Sequence, residues 1–100
     1  MIMITTKQRA YLRGLANSAT AILQVGKDGI TPALVENILV ALEARELVKV
    51  SVLETAPLSA KEAIAEVMAG IPEAEAVQVI GRKFVLYRQN KKEPKIVLPR

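Results

Sequence analysis

The stretch that decides the fold is Val25-Gly26-Lys27-Asp28-Gly29-Ile30-Thr31-Pro32, which joins an apolar run to an amphipathic segment. Residues 21–25 are short, apolar and followed by glycine, which is typical of a buried strand. Thr31 suits the N-cap of a helix, and Pro32 suits its first position, where a missing N–H removes no hydrogen bond. The sequence therefore predicts a strand, a tight loop and a helix over about residues 32–45.

This predicted helix has the most regular amphipathic pattern of the chain. Its apolar residues recur at positions i, i+1, i+4, i+5 and i+8, from Leu34 to Leu42. Four polar residues are expected on the solvent side: Glu36, Asn37, Glu43 and Glu46.

Two further helices are predicted, one on each side of this region. The first covers about residues 6–16, with Thr5 or Thr6 as its N-cap. Its expected buried stripe consists of Tyr11, Leu12 and Leu15. The other helix begins after Ser59, which forms a capping box with Glu62, and continues through Ala69.

The remaining apolar segments predict three strands. Alternating valines indicate a strand over residues 47–53. Residues 76–80 and 83–88 are separated by Gly81-Arg82, which favours a tight hairpin. The order is αβαβαββ, so we expect an α+β fold with a mixed sheet in a single domain over residues 1–100. A basic C-terminal tail begins at about residue 89, and its apolar segment 96–98 is expected to pack on the body.

Basic side chains are concentrated at the two ends of the chain. Residues 1–29 carry four basic and one acidic side chain, and residues 82–100 carry seven and one. Residues 30–81 carry three basic and eight acidic side chains. If the ends meet in space, one face is positive and favours a polyanion such as nucleic acid. The alternative is a tail whose charge serves solubility alone.

The composition excludes several kinds of site. The chain contains no cysteine and no histidine, so thiol chemistry, disulfides and imidazole ligation are impossible. No acid pair is placed for catalysis, and we expect no enzyme activity, no catalytic or metal-binding residue, no cofactor and no small-molecule substrate. The apolar N-terminus is too short for a signal peptide, and either Met1 or Met3 can be the native start. We expect a cytoplasmic monomer without a membrane partner.

The G-x-x-G spacing of the loop has a physical use at a helix start. Glycine lets a backbone approach another molecule closely, and helix N-terminal amides attract phosphate. Asp28 opposes this use unless it points away or caps the helix. The loop matches neither a Walker A nor a dinucleotide-binding sequence, and its place between a strand and a helix differs from that in the K homology domain. A tight structural turn is the alternative reading.

A nucleic-acid backbone is the partner that the loop and the basic ends favour together. Phe84-Val85-Leu86-Tyr87 matches the end of the RNA-recognition-motif octamer, but an ordinary core strand is the favoured reading because aromatic residues are few. The predicted RNA-binding residues are Gly26, Lys27, Asp28, Gly29, Lys7, Arg9, Arg13, Arg82, Lys83, Arg88, Lys91 and Lys92.

Several segments together resemble a known family. They are Thr6-Lys7-Gln8-Arg9, Leu12-Arg13-Gly14-Leu15, Val25 to Thr31, Glu46 to Val50, Val77 to Arg82, Val85 to Arg88 and Lys95 to Arg100. In this order they resemble a YhbY-type stand-alone CRM domain (chloroplast RNA splicing and ribosome maturation), over essentially the whole chain.

The resemblance implies a four-stranded sheet with three helices, similar to the C-terminal domain of a bacterial translation initiation factor. It also implies RNA binding through the loop Gly26 to Gly29 and the nearby basic surface. For bacterial single-domain members it implies ribosomal RNA, in precursors of the large ribosomal subunit, as the partner during ribosome assembly. The alternative function is a protein-interaction module that docks on ribosomal proteins or an assembly factor through its acidic helices.

Overall fold

Three helices and four strands make up the part of the chain that the computed structural model describes, residues 4–90 and 92–99. Met1 and Met3, the two candidate start residues, lie outside it. The elements are α1 (Thr6–Asn17), β1 (Leu23–Val25), α2 (Pro32–Arg45), β2 (Leu47–Val52), α3 (Ala60–Gly70), β3 (Glu75–Ile80) and β4 (Lys83–Tyr87). The predicted αβαβαββ order and α+β class are confirmed.

The four strands form one mixed sheet in the order β1-β2-β4-β3. β1 runs parallel to β2, as a strand–helix–strand crossover requires, whereas β4 is antiparallel to both β2 and β3. The loop after β1, the connection after β2 and the β3–β4 turn therefore all leave the sheet at one end. We call this the loop end, and the opposite end, where β2 begins, the Glu46 end.

Apolar side chains cover both faces of the sheet. On one face, α2 and α3 bury the valines of β2 together with Phe84 and Leu86. On the other face, α1 and the tail cover Val77, Val85 and Tyr87. Ile96 and Leu98 of the tail belong to this second cluster, as expected, whereas Val97 is exposed.

The helix starts follow the predicted caps. Thr5 caps α1 with Gln8 completing a capping box, and Ser59 caps α3 with Glu62. The hydrogen bonds from Ser59 lower the pKa of the Glu62 carboxyl. The predicted stripe of α1 is wrong in part, because Leu12 and Ala16 face the sheet while Tyr11 and Leu15 are 43% and 37% exposed. The helix is rotated so that the small Ala16 side chain, rather than Leu15, lies against the strands.

The prediction that Glu46 faces solvent is wrong. Glu46 follows α2 with φ +65°, in the left-handed region that costs a side chain about 1–2 kcal/mol, and it is fully buried. Its carboxylate accepts backbone N–H bonds from Asn90 and Ile96, both at 2.7 Å, and from Lys95. These donors satisfy the buried charge and hold the tail on the body of the fold.

Tyr87 lies in the same region, at the end of β4. Its hydroxyl is buried and has no hydrogen-bond partner within the described residues. Burial raises the pKa of the Tyr87 phenol, and the negative charge of Glu46 raises it further.

Candidate nucleic-acid interface

The loop after β1 is a closed β-turn. The Gly29 N–H donates to the Gly26 carbonyl at 3.0 Å, which places Lys27 and Asp28 at the two central positions. Both of these side chains are exposed. The loop therefore presents one cation and one anion to solvent.

The two glycines of the loop have different structural roles. Gly29 has φ +68°, and a Cβ there would meet Pro57 Cγ at 3.4 Å, so the turn itself favours glycine. Gly26 has no left-handed φ, and a Cβ there would meet its nearest neighbour, Leu53 Cδ1, only at 4.0 Å. The backbone geometry and packing thus account for Gly29 but not for Gly26.

The start of α2 is largely occupied by its own cap. The Thr31 hydroxyl accepts the Leu34 N–H at 3.1 Å, and the Thr31 carbonyl accepts the Val35 N–H. Pro32 has no N–H. In the first turn, the Ala33 N–H is thus the amide that Thr31 does not bind. The helix start therefore offers fewer donors to a phosphate than its sequence suggests.

Arg82 in the β3–β4 turn holds the neighbouring connection in place. Its Nε donates to the Val52 carbonyl at 3.2 Å, and its terminal nitrogen donates to the Leu53 carbonyl at 2.9 Å. Leu53 in turn donates its N–H to the Val25 carbonyl at 2.9 Å. The three segments at the loop end are therefore joined by hydrogen bonds.

The predicted RNA-binding residues fall into three groups. At the loop end the structure brings together Gly26, Lys27, Asp28, Gly29, Arg82 and Lys83. Helix α1 carries Lys7, Arg9 and Arg13 across one face of the sheet. Arg88 and Lys92 lie with the Glu46 end, and Lys91 lies outside the described residues.

The group at the Glu46 end is distant from the loop. Five residues of β2 separate the level of Tyr87 from that of Val25, which is about 17 Å of strand. Arg88 Nε donates to the Pro72 carbonyl, and Arg88 lines an open cavity of about 380 Å³ with Glu43 and Glu73. Arg88 thus lies among carboxylates, at the end of the sheet away from the loop.

Charge separates across the sheet. Helix α1 has no acidic residue, and its Lys7 and Arg13 are exposed, while Arg9 Nε donates to the Ala76 carbonyl at 3.1 Å. The outer faces of α2 and α3 expose four carboxylates: Glu36, Glu43, Glu62 and Glu66. The α1 side and the loop end are therefore the favourable surfaces for a polyanion.

Comparison with known proteins agrees with this architecture. Residues 4–88 match the CRS1/YhbY (CRM) domain family. The chain belongs to this family. It is 42% identical over 97 residues to Bacillus subtilis YqeI, named a probable RNA-binding protein, with 97% of this chain and 100% of that protein covered. It is also 37% identical over 100 residues to a Haemophilus influenzae protein named RNA-binding protein, with 100% and 99% covered.

A solved structure shares the fold of this CRM domain. It is the solution structure of a Staphylococcus aureus protein described as proposed to bind RNA. The two superpose with a TM-score of 0.76 at 42% identity, over 97% of this chain and 100% of that one. The family resemblance and the four-stranded fold expected from the sequence are confirmed.

The sequence reasoning missed two cations of this CRM domain. Arg45 and Lys49 line a cavity of about 250 Å³ beside β1, together with Ile22, Leu47 and Val85. The signal was present, because the buried alternation of Val48, Val50 and Val52 places Lys49 on the opposite face, towards α1.

The described residues form neither a metal site nor a membrane span. Across residues 4–90 and 92–99, no group of three or more acidic side chains is arranged to hold a metal ion. In the same ranges, no helix has both the length and the apolar character needed to cross a bilayer.

Proposed function

We propose that this CRM domain binds RNA, with the sugar–phosphate backbone lying against the G-x-x-G loop. The observation that carries the proposal is Gly26, a glycine that neither backbone conformation nor internal packing requires. Close approach of a ligand to the backbone is a use that explains it. Two relatives that match nearly the whole chain are named for RNA binding, which supports this choice of ligand.

Cations around the loop supply the attraction. Lys27, Lys83 and the remaining donors of Arg82 lie at the loop end, and Lys7 and Arg13 extend the positive surface along α1. Contacts to about four to six phosphates give a slope of about −3 to −5 for log affinity against log salt. Recognition through backbone and shape dominates, because the chain has only three aromatic residues on which bases could stack.

The cellular partner in this proposal is ribosomal RNA in precursors of the large ribosomal subunit, bound in the cytoplasm by a monomer that assists assembly. The resemblance to single-domain YhbY-type proteins supports this partner. Crosslinking in cells, followed by sequencing of the attached RNA, tests it, and reads spread evenly over cellular RNA would contradict it. Association that survives nuclease and is lost on substituting α2 and α3 carboxylates would support protein docking instead.

The direct test compares two glycine-to-alanine variants in a filter-binding series with structured ribosomal RNA. Gly26→Ala is expected to keep or slightly raise the free energy of unfolding and to lower RNA affinity about 5-fold to 10-fold, because the methyl group obstructs the backbone approach. Gly70→Ala, at the end of α3 on the acidic side of the sheet, is the control and is expected to keep full affinity. Equal affinity of Gly26→Ala and the unmodified protein would contradict the proposal.

A third variant tests the sign of the charge effect. Asp28→Asn removes the exposed carboxylate at the centre of the turn, so RNA affinity is expected to rise about 2-fold to 5-fold at low salt. The gain should disappear at high salt. A loss of affinity would mean that Asp28 serves the loop rather than opposing the ligand.

A further inference from the structure

Residues 4–90 and 92–99, which the structure describes, leave half of one sheet face uncovered. α2 and α3 cover the opposite face, whereas α1 and the tail cover this face only towards the Glu46 end. At the loop end the strand register places four residues in one row across the sheet. These residues, in the order β1, β2, β4 and β3, are Gln24, Ser51, Lys83 and Ile80.

The orientation of this row follows from the buried residues beside it. Val25, Val52 and Phe84 belong to the cluster under α2 and α3, so their chain neighbours Gln24, Ser51 and Lys83 point to the α1 side. Ile80 pairs with Lys83 and is 53% exposed. We call this row the open half-sheet, and it spans about 14 Å at ordinary strand spacing.

The chemistry of the open half-sheet comes from its four side chains. It offers an amide, a hydroxyl, an ammonium group and an aliphatic side chain, and no carboxylate. The amide and the hydroxyl each both donate and accept hydrogen bonds, which suits the edges of nucleobases more than phosphates. Ile80 offers an apolar surface for the face of a base.

The cavity beside β1 lies next to this row. Its lining includes Ile22, Lys49 and Val85, which occupy the next level of the sheet towards the Glu46 end. Lys49 Nζ donates to the carbonyls of Ala16 at 3.2 Å and Ala19 at 3.4 Å, and Arg45 is exposed at the rim. The described lining contains two cations and no carboxylate, so a phosphate can enter without meeting a negative side chain.

We propose that the open half-sheet and this cavity bind a run of unpaired RNA nucleotides that continues from the backbone held at the G-x-x-G loop. The inference rests on the proposed function and specifies the form of RNA that this side of the molecule takes. Gln24 lies two residues before Gly26, so an RNA strand bound at the G-x-x-G loop lies directly beside the open half-sheet. Gln24 and Ser51 contact base edges, and Arg45 and Lys49 receive a phosphate at the far side.

Unpaired nucleotides are the form of RNA that suits these groups best. In a duplex the Watson–Crick edges are paired, the deep major groove of A-form RNA is closed to side chains, and the shallow minor groove is recognised mostly through shape and 2′-hydroxyl contacts. In a single strand the edges are free to meet an amide and a hydroxyl on a strand surface. The chemistry of the row therefore favours a single-stranded segment over a helix.

The experiment compares two labelled probes, an RNA hairpin with a single-stranded extension and the same hairpin with a blunt end. The double variant Gln24→Ala, Ser51→Ala is expected to bind the extended hairpin about 5-fold to 20-fold more weakly and the blunt hairpin unchanged. Arg45→Gln is expected to flatten the salt slope for the extended hairpin by about 0.7. Lys61→Gln on α3, on the other side of the sheet, is the matched control and should change neither.

The outcomes separate this inference from the function on which it rests. If Gly26→Ala weakens binding of both probes while the double variant leaves both unchanged, RNA binding stands and the open half-sheet is not part of it. If the unmodified protein binds neither probe, the proposed function itself fails. Equal losses for Arg45→Gln and Lys61→Gln would mean unspecific attraction and would also overturn the inference. The inference would also be overturned if this surface captured a protein, if the double variant lost that capture, and if RNA binding showed no preference for the extended hairpin.

Discussion

The two ends of the sheet both contain charged residues, but these residues differ in burial and in hydrogen bonding. At the Glu46 end a carboxylate is buried and its hydrogen bonds are made by the chain itself. At the loop end Lys27, Asp28 and Lys83 are exposed. Neither the backbone conformation nor the internal packing there requires a glycine at Gly26. The difference teaches that the charge count of a segment does not show which of its polar groups are open to a ligand, because some of them are already satisfied within the fold.

The basic tail has a different role in the fold from the one that its charge suggests. The sequence groups Arg88, Lys91 and Lys92 with Arg82 and Lys83 as one positive cluster. In the fold, Arg88 and Lys92 lie at the Glu46 end, where Asn90 also donates its side-chain N–H to the Glu43 carbonyl. The described tail residues are therefore held by structural contacts, and the positive surface near the loop comes from other residues.

Removing the buried carboxylate of Glu46 is expected to have the largest effect and tests its structural role at the Glu46 end. Glu46→Ala is expected to lower the free energy of unfolding by about 3–5 kcal/mol, because three backbone N–H groups of the tail lose a charged acceptor. Denaturant unfolding measures this loss. Glu43→Ala, three residues earlier and exposed, is the matched control and should change stability by less than about 0.5 kcal/mol.

A milder substitution tests whether Arg82 supports the loop end. Arg82→Gln is expected to lower stability by about 1–2 kcal/mol, since two hydrogen bonds to the Val52 and Leu53 carbonyls are lost. Amide hydrogen exchange at Gly29 should speed up in the same variant. The neighbouring Lys83→Gln should leave that exchange rate unchanged, and equal rates in both variants would remove Arg82 from this supporting role.

The smallest expected effect concerns Tyr87. In a Tyr11→Phe background, ultraviolet titration should place the Tyr87 pKa above the ordinary value of about 10, because burial and Glu46 both disfavour the phenolate. As pH rises, Tyr87 then ionises first in the unfolded chain. The contribution of the neutral Tyr87 phenol to the free energy of unfolding is therefore present below about pH 10 and is lost as pH rises through the folded pKa. Glu46→Gln should bring the pKa partly back, and an unchanged value would exclude the electrostatic contribution of Glu46.

Local sequence rules predicted most of the fold. Thr31 and Pro32 placed the start of α2, and the Ser59–Glu62 capping box placed the start of α3, as the structure confirms. The Gly81-Arg82 turn likewise placed the terminal hairpin, where Gly81 has φ +56°. These features were predictable because the physical cause lies within a few residues of the effect.

The errors concern partners that are distant in sequence. Glu46 follows the solvent-facing pattern of α2, and nothing near it indicates that its partners come from residues 90–96. Tyr11 and Leu15 match a helical stripe, but the sheet selects the line through Leu12 and Ala16. The candidate site has the same limit, since its row of Gln24, Ser51 and Lys83 requires the strand order β1-β2-β4 to be known.

The most direct test of the difference between the two ends is an amide NMR titration of the unmodified protein with the extended RNA hairpin. The largest shifts are expected at Gly26 to Gly29 and along Gln24, Ser51 and Lys83, with small shifts at Asn90 and Ile96. Loss of the loop shifts as salt is raised would match an electrostatic contact to phosphate. Shifts concentrated at Asn90, Lys92 and Ile96, with the loop unchanged, would place the RNA at the Glu46 end and contradict the proposed interface.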